Sequence, residues 1–458
     1  MKKLLCVLLI ICVLIVFFAF HGDIWGTGRK KIVTLMIWHT YVEQMGDSFD
    51  ALVQEFNETV GAKEGIVVSV AVDANASSLN EMLMAAVKRD PGAPACPDIA
   101  LVYPNIAIEL ARLGALADLG TLFTKDELDR YVPEFLEEGR LGNDTLYILP
   151  IAKSTEVLFV NRTLFDRFSN ATGVDISQLA TFEGILDAAE KYYEWTDAQT
   201  PDIPNDGKTF YYPDTPFNYS MIGFEQLGDR FVKDGKLNLE SQTFRRIWNS
   251  YFLNAVRGSV AIYDSYSGYL AMTGDIVCAS GTSAGATFYP DTVIYADNTK
   301  EDVFFDILPF PVFEGGERVV VQRGGGMCIL KSDSEKERAA ALFLKWLTEP
   351  ARNLRFAAST GYMPVTTGVF EFLLAEELEN IENELVRKTL KTTAAMKEDY
   401  RFFVPPVFDG FDELQRKYVN RLLTDAKGAR SEYERRRETG LPGAFYFEVK
   451  FRDFLKDF

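Results

Sequence analysis

The sequence predicts an α/β protein of two lobes, each with a mostly parallel sheet flanked by helices. Short β-branched runs alternate with segments whose apolar residues recur at helical spacing, which is typical of parallel sheets covered by helices. At 458 residues the chain is longer than one hydrophobic core usually serves, so two lobes are expected. Apolar residues make up 47% and charged residues 25%, which is the balance of a globular protein.

The alternation of strands and helices is clearest in the first third of the chain. Strands are predicted at 32–38, 66–72 and 98–103, and segments with helical spacing follow each of them. A further strand is predicted at 147–151. Because strands that alternate with helices form parallel pairs, the α/β class follows.

The remainder of the chain has mainly helical spacing, with three returning strands. A loop rich in Pro, Asp and Tyr covers 196–220, and loops of this length are usually functional or mobile. Strands are predicted again at 275–279, 304–308 and 326–330, and helices from there to the end.

The first thirty residues contain an apolar run from Leu4 to Phe20 behind Lys2 and Lys3. As a helix it would span roughly 26 Å, the short edge of what crosses a bilayer. The run ends without the small residues of a signal-peptidase site and without a lipoprotein cysteine pattern. We therefore expect 1–30 to be a signal peptide or an uncleaved membrane anchor, with the anchor favoured.

Charge and residue counts disfavour several classes of function. The formal net charge of −18 repels phosphate backbones, so nucleic acid is not an expected partner. His21 and His39 are the two histidines of the sequence, and most zinc sites and general bases use histidine. Neither a metal site nor a cofactor is therefore expected. Cys96, Cys278 and Cys328 lie far apart without a CxxC pair, so we expect three buried core cysteines rather than a disulfide framework.

Several segments, in order along the chain, carry a resemblance to a known family. They read "LVQEFNE" at 52–58, "PDIALVYPN" at 97–105, "LARLGALADL" at 110–119, "LYILPIAKSTEVLFVNRTLF" at 146–165, and a glycine-rich segment from 324 that leads to "STGYMPV" at 359–365. Together they resemble the family 1 extracellular solute-binding proteins of ABC importers. The resemblance covers about residues 31 to 420, and the segment 146–165 is its most specific match.

The resemblance implies a two-lobed fold of the periplasmic-binding-protein type 2, with a ligand cleft between the lobes. Lobe 1 is expected at 31–150, with 273–330 returning to it, and lobe 2 at 151–272, with 331–458 returning to it. The implied function is that of an extracytoplasmic substrate-binding protein of an ABC importer. It would capture a small polar ligand, a mono- or oligosaccharide, by closing its lobes, and deliver it to the membrane permease. It would lie in the periplasm or on the outer face of the cytoplasmic membrane, and it would be no enzyme.

Two alternatives stay open at this point. A membrane-anchored ligand sensor with the same fold would suit an uncleaved anchor. A hydrolase is indicated by G-T-S-A-G at 281–285, the pattern of a serine nucleophile elbow, but that fold needs a histidine after the serine and no histidine follows His39.

Most candidate ligand-binding residues follow predicted strands, because ligands of such sheets lie outside the carboxyl ends of strands. Arg323 and Gly325 instead precede the predicted strand at 326–330, where glycines let a ligand approach the backbone, and the resemblance implies Tyr362. Aromatic rings and short polar groups suit the C–H faces and hydroxyls of a sugar. Structural alternatives are a core aromatic for Trp38, turn chemistry around Asn105, a helix cap at 154–156, and a tight turn at the glycines 324–326. The candidates are Trp38, His39, Tyr103, Asn105, Ser154, Thr155, Glu156, Ser280, Thr282, Arg323, Gly325 and Tyr362.

Overall fold

The structure is a computed structural model that describes residues 31–73, 75–142, 144–203, 205–408, 410–436 and 443–458. The predicted signal or anchor segment 1–30 lies outside these residues. Within them, no helix combines the length and the apolar character that crossing a membrane requires.

The strands are numbered in chain order. They are β1 (Val33–His39), β2 (Ile66–Val72), β3 (Ile99–Val102), β4 (Arg140–Leu141), β5 (Thr145–Leu146), β6 (Glu156–Asn161), β7 (Tyr211–Pro213), β8 (Val232–Lys233), β9 (Lys236–Leu237), β10 (Cys278–Thr282), β11 (Thr292–Ile294), β12 (Lys300–Asp302), β13 (Phe305–Leu308), β14 (Val319–Val321), β15 (Gly326–Ile329) and β16 (Arg401–Phe403).

The α-helices are numbered in the same way. They are α1 (Glu43–Phe56), α2 (Ala62–Glu64), α3 (Ala76–Lys88), α4 (Pro104–Arg112), α5 (Lys125–Leu128), α6 (Pro133–Glu137), α7 (Arg162–Thr172), α8 (Phe182–Asp197), α9 (Pro216–Gln226), α10 (Gln242–Arg257), α11 (Ser267–Met272), α12 (Ser334–Leu347), α13 (Pro350–Thr360), α14 (Leu374–Glu377), α15 (Glu384–Asp399), α16 (Phe411–Arg436) and α17 (Ala444–Leu455). Short 3-10 or π segments lie at Asn57–Gly61, Leu119–Thr121, Ile176–Ala180, Ser283–Phe288, Val369–Leu373 and Leu378–Asn380.

Lobe 1 is built on a four-stranded sheet in the order β15-β3-β1-β2. β1 pairs in parallel with β2 and β3, and β15 runs antiparallel to β3. Along the first half of β1 the side chains alternate between buried and exposed, as expected of a strand with one face on the core. Helices α1, α12 and α13 cover that core, where Phe56 meets Phe343 and Trp346 edge to face.

Lobe 2 is built on a second four-stranded sheet in the order β13-β6-β10-β7. All six residues of β6 are buried, because helices cover both faces of this central strand. β6 runs antiparallel to β10 and β13, while β10 is parallel to β7. The sheet is therefore mixed, whereas strand and helix alternation predicts mostly parallel pairing.

The chain passes between the lobes at three places, and the three crossing segments pair with one another. Ser154 and Arg323 exchange two backbone hydrogen bonds of 3.0 and 2.8 Å. Lys153 and Met363 exchange two more, of 3.1 and 2.6 Å. The third crossing follows, between Val365 in the core of lobe 1 and Val369 in that of lobe 2. Short paired strands of this kind form a hinge about which two packed lobes can rotate.

The later segments return to the lobes at other places than expected. Within 273–330, β10 and β13 pair with β6 in lobe 2, and β15 alone joins the sheet of lobe 1. Within 331–458, α12 and α13 pack in lobe 1, and the chain returns to lobe 2 from Val369. The reason is strand pairing: β10 and β13 flank β6 on its two sides, which no local pattern in the sequence indicates.

Candidate ligand-binding cleft

A cleft of about 580 Å³ lies between the two lobes, beside the paired crossings. Its volume falls in the range of small-molecule sites. Lobe 1 lines it with Tyr103, Asn105, Glu138 and Tyr362, lobe 2 with Thr215, Asn218, Tyr266, Thr282 and Phe411, and the crossings with Ser154 and Arg323. A larger cavity of about 840 Å³ opens on lobe 2 alone, around Trp195, Tyr263 and Tyr295. A ligand in that cavity would not contact both lobes.

The lining residues sit where strands end. Tyr103 follows β3 and is the residue before α4, whose first position is Pro104. Thr282 ends β10, and Thr215 follows β7 and precedes α9. These are the carboxyl ends of the strands, the place where ligands of open α/β sheets bind.

The floor of the cleft holds a partly buried ion pair at the second crossing. Arg323 donates from Nη1 to Oε1 of Glu156 at 3.0 Å, and Nδ2 of Asn218 donates to the same oxygen at 2.6 Å. Burial raises the pKa of Glu156, while the Arg323 guanidinium and the Asn218 amide act in the opposite direction. No other hydrogen bond of the Arg323 side chain occurs among the described residues, so its remaining N–H groups are available to a ligand.

A second carboxylate, Asp214, stands beside this pair. Its Oδ1 accepts the backbone N–H of Ser267 at 3.0 Å. A Cβ at Gly281 would come within 3.1 Å of its Oδ2, so the missing side chain makes room for the carboxylate. Burial, with the charge of Glu156 as the second cause, raises the pKa of Asp214 to about 6.

A third carboxylate is neutralised on the lobe 1 side. Lys153 donates from Nζ to Oε2 of Glu138 at 2.6 Å and to the carbonyl of Gly324 at 2.7 Å. Gln322 also donates to Oε2 of Glu138. This network ties the first two crossings to the end of α6, so it holds the hinge side of the cleft in place.

The lobes also touch across the cleft. Nδ2 of Asn105, in the first turn of α4, donates at 2.9 Å to Asp412, in the first turn of α16. Oδ1 of Asn105 is buried without a partner among the described residues. Unlike the backbone pairs of the crossings, this contact joins side chains of the two lobes, and it lies at the wall of the cleft.

Six of the twelve candidate residues line the cleft, and a seventh lies directly beneath it. The six are Tyr103, Asn105, Ser154, Thr282, Arg323 and Tyr362, and the seventh is Glu156, beneath Arg323. Tyr103 keeps 40% of its surface exposed, which leaves an aromatic face available.

The first strand end does not reach the cleft, which corrects the expectation for two candidates. Trp38 packs in a core cluster with Leu79 and Leu83. His39 is fully buried, with ring centroids 4.8 Å from Phe49 and 5.2 Å from Tyr41. Burial lowers the pKa of His39 to about 4, so the ring is neutral at pH 7.

The last three candidates serve the fold around the hinge, and none of them lines the cleft. Oγ1 of Thr155 donates to the carbonyl of Val321 at 2.8 Å. The hydroxyl of Ser280 lies 2.7 Å from that of Tyr211. A Cβ at Gly325 would come within 2.8 Å of the Val102 carbonyl, so this glycine permits close packing of two backbones.

Several lining or neighbouring residues were absent from the candidate set, among them Glu138, Phe411 and four residues from two other segments. Asp214, Thr215 and Asn218 belong to the segment 196–220, which the sequence predicts as a long loop but which contains β7 and the start of α9. Tyr266 lies in a segment without a distinctive pattern, and it is 72% exposed.

The elbow-like segment is not built as a nucleophile. Oγ of Ser283 accepts the backbone N–H of Thr155 at 3.3 Å, and Ser283 is fully buried. His39, the histidine of the described residues, lies in the core of lobe 1.

The described residues contain no group of three or more His, Cys, Asp or Glu arranged to hold a metal. All three described cysteines are free thiols. Cys278 and Cys328 are buried as expected, but Cys96 is exposed because the Pro- and Gly-rich loop before β3 lies on the surface.

Solved structures of similar shape share this architecture. The cyclic α-maltosyl-1,6-maltose binding protein of Arthrobacter globiformis superposes with a TM-score of 0.67 at 18% identity, covering 87% of this chain and 95% of its own. An ABC substrate-binding protein of Listeria monocytogenes in complex with cycloalternan superposes with a TM-score of 0.66 at 16% identity, covering 93% of this chain and 99% of its own. UgpB of Mycobacterium tuberculosis in complex with glycerophosphocholine superposes with a TM-score of 0.65 at 18% identity, covering 90% of this chain and 98% of its own. At these identities the likeness establishes the fold.

Sequence comparison identifies the family. No curated protein matches the sequence. The family model described as bacterial extracellular solute-binding protein matches residues 51–383, which is most of the chain and includes the sheet of lobe 2, the sheet of lobe 1 apart from β1, the three crossings and most of the cleft. The chain therefore belongs to the bacterial extracellular solute-binding proteins and has their two-lobed type 2 fold.

Proposed function

We propose that this chain is the substrate-binding protein of an ABC importer, which captures a small sugar-like ligand between its lobes and performs no chemistry on it. The observation that carries the proposal is the cleft itself. Residues of both lobes line it, and the lobes are joined by crossings that pair through four backbone hydrogen bonds. A ligand that contacts both lobes stabilises the closed state over the open one, and a transporter can recognise that state.

The chemistry of the cleft supports a hydroxylated ligand. Tyr103, Tyr266 and Tyr362 offer aromatic faces, and Arg323, Asn218 and Ser154 offer hydrogen-bonding groups. A sugar presents both C–H faces and hydroxyls, so it matches this mixture. One of the similar proteins is named for cyclic α-maltosyl-1,6-maltose, and a second was solved in complex with cycloalternan. A third was solved in complex with glycerophosphocholine, which also carries hydroxyls.

A binding role rather than catalysis is supported by the bonding of the reactive groups. Ser283 is committed to the backbone of Thr155, and Glu156 is held by Arg323 and Asn218. The proposal also includes a position outside the cytoplasmic membrane, with residues 1–30 as the anchor and the permease of the importer as partner. Family membership supports the extracytoplasmic side.

A thermal-shift screen tests the proposal. The full chain, kept in mild detergent, is heated with mono- and oligosaccharides, polyol phosphates and polyamines. A specific ligand at 100 times its Kd should stabilise the fold by about 2.7 kcal/mol, which is visible as a higher Tm. A folded protein whose Tm responds to no sugar would contradict the ligand class, and turnover of a bound sugar would contradict the absence of chemistry.

A further inference from the structure

The carboxylates in the cleft and directly beside it outnumber the cations that form ion pairs with them. Glu138 is paired with Lys153, and Glu156 with Arg323. Asp214 and Asp412 form no ion pair within the described part of the chain. The cleft thus carries an excess of negative charge in the protein without ligand.

Asp214 is placed at this position by specific packing. The N–H of Ser267 holds one of its oxygens, and the glycine at 281 leaves space for the other. A partly buried carboxylate without a cation is unfavourable, and protein interiors rarely keep one without a function. The raised pKa of Asp214 reports the same penalty.

Aromatic rings stand next to the unpaired charge. Tyr266 directly precedes Ser267, whose N–H binds Asp214, and Tyr103 and Tyr362 line the same cleft from lobe 1. The faces of such rings attract cations as well as C–H groups. An anion would fit poorly, because Glu156 already balances the charge of Arg323 and Asp214 would repel a second negative charge.

We infer that the natural ligand is a hydroxylated molecule with a protonated nitrogen, an amino sugar or amino-oligosaccharide, whose ammonium group lies beside Asp214. This inference rests on the proposed binding function and names its ligand class. The free N–H groups of Arg323 and the side chains of Thr215 and Ser154 would receive the hydroxyls. Neighbouring rings would then stack on Tyr103, Tyr266 or Tyr362.

Three series of β-1,4-linked oligomers, one to four rings long, test the inference by calorimetric titration of the full chain in mild detergent. Chitosan oligomers carry a free amine, N-acetylated chitin oligomers carry a neutral amide at the same carbon, and cello-oligomers carry a hydroxyl. We expect the amine series to bind at least tenfold more tightly than the other two, because hydrogen bonds to charged groups are about that much stronger. Comparing ligands keeps this test independent of whether any variant folds.

An Asp214→Asn variant then locates the effect. We expect it to lose the preference for the amine series, whereas Glu225→Gln, which removes a carboxylate paired with Arg401 outside the cleft, should keep it. Equal or tighter binding of the neutral series would overturn the inference and leave the binding function intact. If none of the three series binds to the folded protein, the inference fails, while the thermal-shift screen with other sugars decides separately whether the sugar-binding function stands.

Discussion

Arg323 and Glu156 form a 3.0 Å ion pair at the point where the second crossing meets the central strand of lobe 2. The side chain of Glu156 is 3% exposed, whereas that of Arg323 is 33% exposed and lines the cleft. The guanidinium is thus held from below and remains open to a ligand above. Because Arg323 also exchanges backbone hydrogen bonds with Ser154, the same residue belongs to the hinge and to the binding surface.

Replacing the buried partner should weaken ligand binding. In Glu156→Gln the guanidinium loses its charge partner and its fixed orientation, so we expect the Kd for the ligand to rise about tenfold to hundredfold. The matched control is Glu225→Gln, which breaks the pair of Glu225 with Arg401, 3.1 Å long and outside the cleft. Titration calorimetry measures both variants, and equal Kd values for the two would contradict the role of Glu156.

Ligand affinity should fall in acid if the ligand is a cation. Burial raises the pKa of Asp214 to about 6, so a proton competes with the ligand below that pH. The Kd should be roughly tenfold weaker at pH 5 than at pH 7, the ratio of the ionised fractions of Asp214.

Other groups face Asp214 and enter the same titration. Glu156, whose pKa burial also raises, would add to the fall, while the charge of Arg323 acts against the rise in the pKa of Asp214 and burial keeps Tyr212 and Tyr289 neutral in this range. An Asp214→Asn variant should show a flatter dependence in the same calorimetric series. A Kd of the unmodified chain that does not change between pH 5 and pH 7 would count against a cationic ligand.

The protein without ligand should become more stable when Asp214 loses its charge. The folded-state pKa of Asp214 is raised from 3.8 to about 6, so the folded state binds the proton more tightly than the unfolded state does. The stabilisation by that proton is complete below pH 3.8 and is lost as the pH rises through 6. At pH 7 the ionised group therefore lowers the free energy of unfolding by about 3 kcal/mol at most.

Thermal denaturation tests whether the ionised Asp214 lowers the stability of the fold. Asp214→Asn should raise the Tm at pH 7, and its advantage should shrink at pH 4. Asp264→Asn, a change in the exposed loop before Tyr266, serves as the control and should leave the Tm unchanged. A lower Tm for Asp214→Asn at pH 7 would mean that this carboxylate stabilises the fold rather than serving a ligand.

The glycines before β15 should prove to be packing residues. A Cβ at Gly325 would lie 2.8 Å from the Val102 carbonyl, so Gly325→Ala should lower the free energy of unfolding by about 1–3 kcal/mol. Gly368 has helical backbone angles and no atom within 4 Å of a Cβ, so Gly368→Ala should be neutral or slightly stabilising. Chemical denaturation compares the two. An unchanged stability of Gly325→Ala together with weaker ligand binding would instead assign Gly325 to the ligand.

Local patterns in the sequence predicted much of the fold. The strand at 66–72 has the predicted bounds, and those at 33–39, 99–102, 305–308 and 326–329 differ from prediction by a residue or two, because β-branched runs and helical spacing are local properties. The predicted strand at 147–151 is an isolated bridge between Leu149 and Met327, since the crossing segment leaves the sheet there.

Local sequence patterns could not predict which strands pair over long distances in the chain. Which lobe receives β10 and β13 depends on their pairing with β6, more than a hundred residues earlier in the chain. The strand-end rule found Tyr103 and Thr282, but it also selected Trp38 and His39, which turn into the core. Asp214 was missed because a carboxylate in a long polar loop looks like any solvated residue until Gly281 and Ser267 are brought beside it.

Small-angle X-ray scattering of the full chain, in matched-density detergent, with and without the ligand found by the thermal-shift screen, tests the central claim most directly. If the lobes close on a ligand held between them, saturating ligand should reduce the radius of gyration, and Glu156→Gln should need a higher ligand concentration for the same reduction. A ligand that raises the Tm but leaves the scattering profile unchanged would contradict lobe closure, and with it the function proposed for the cleft.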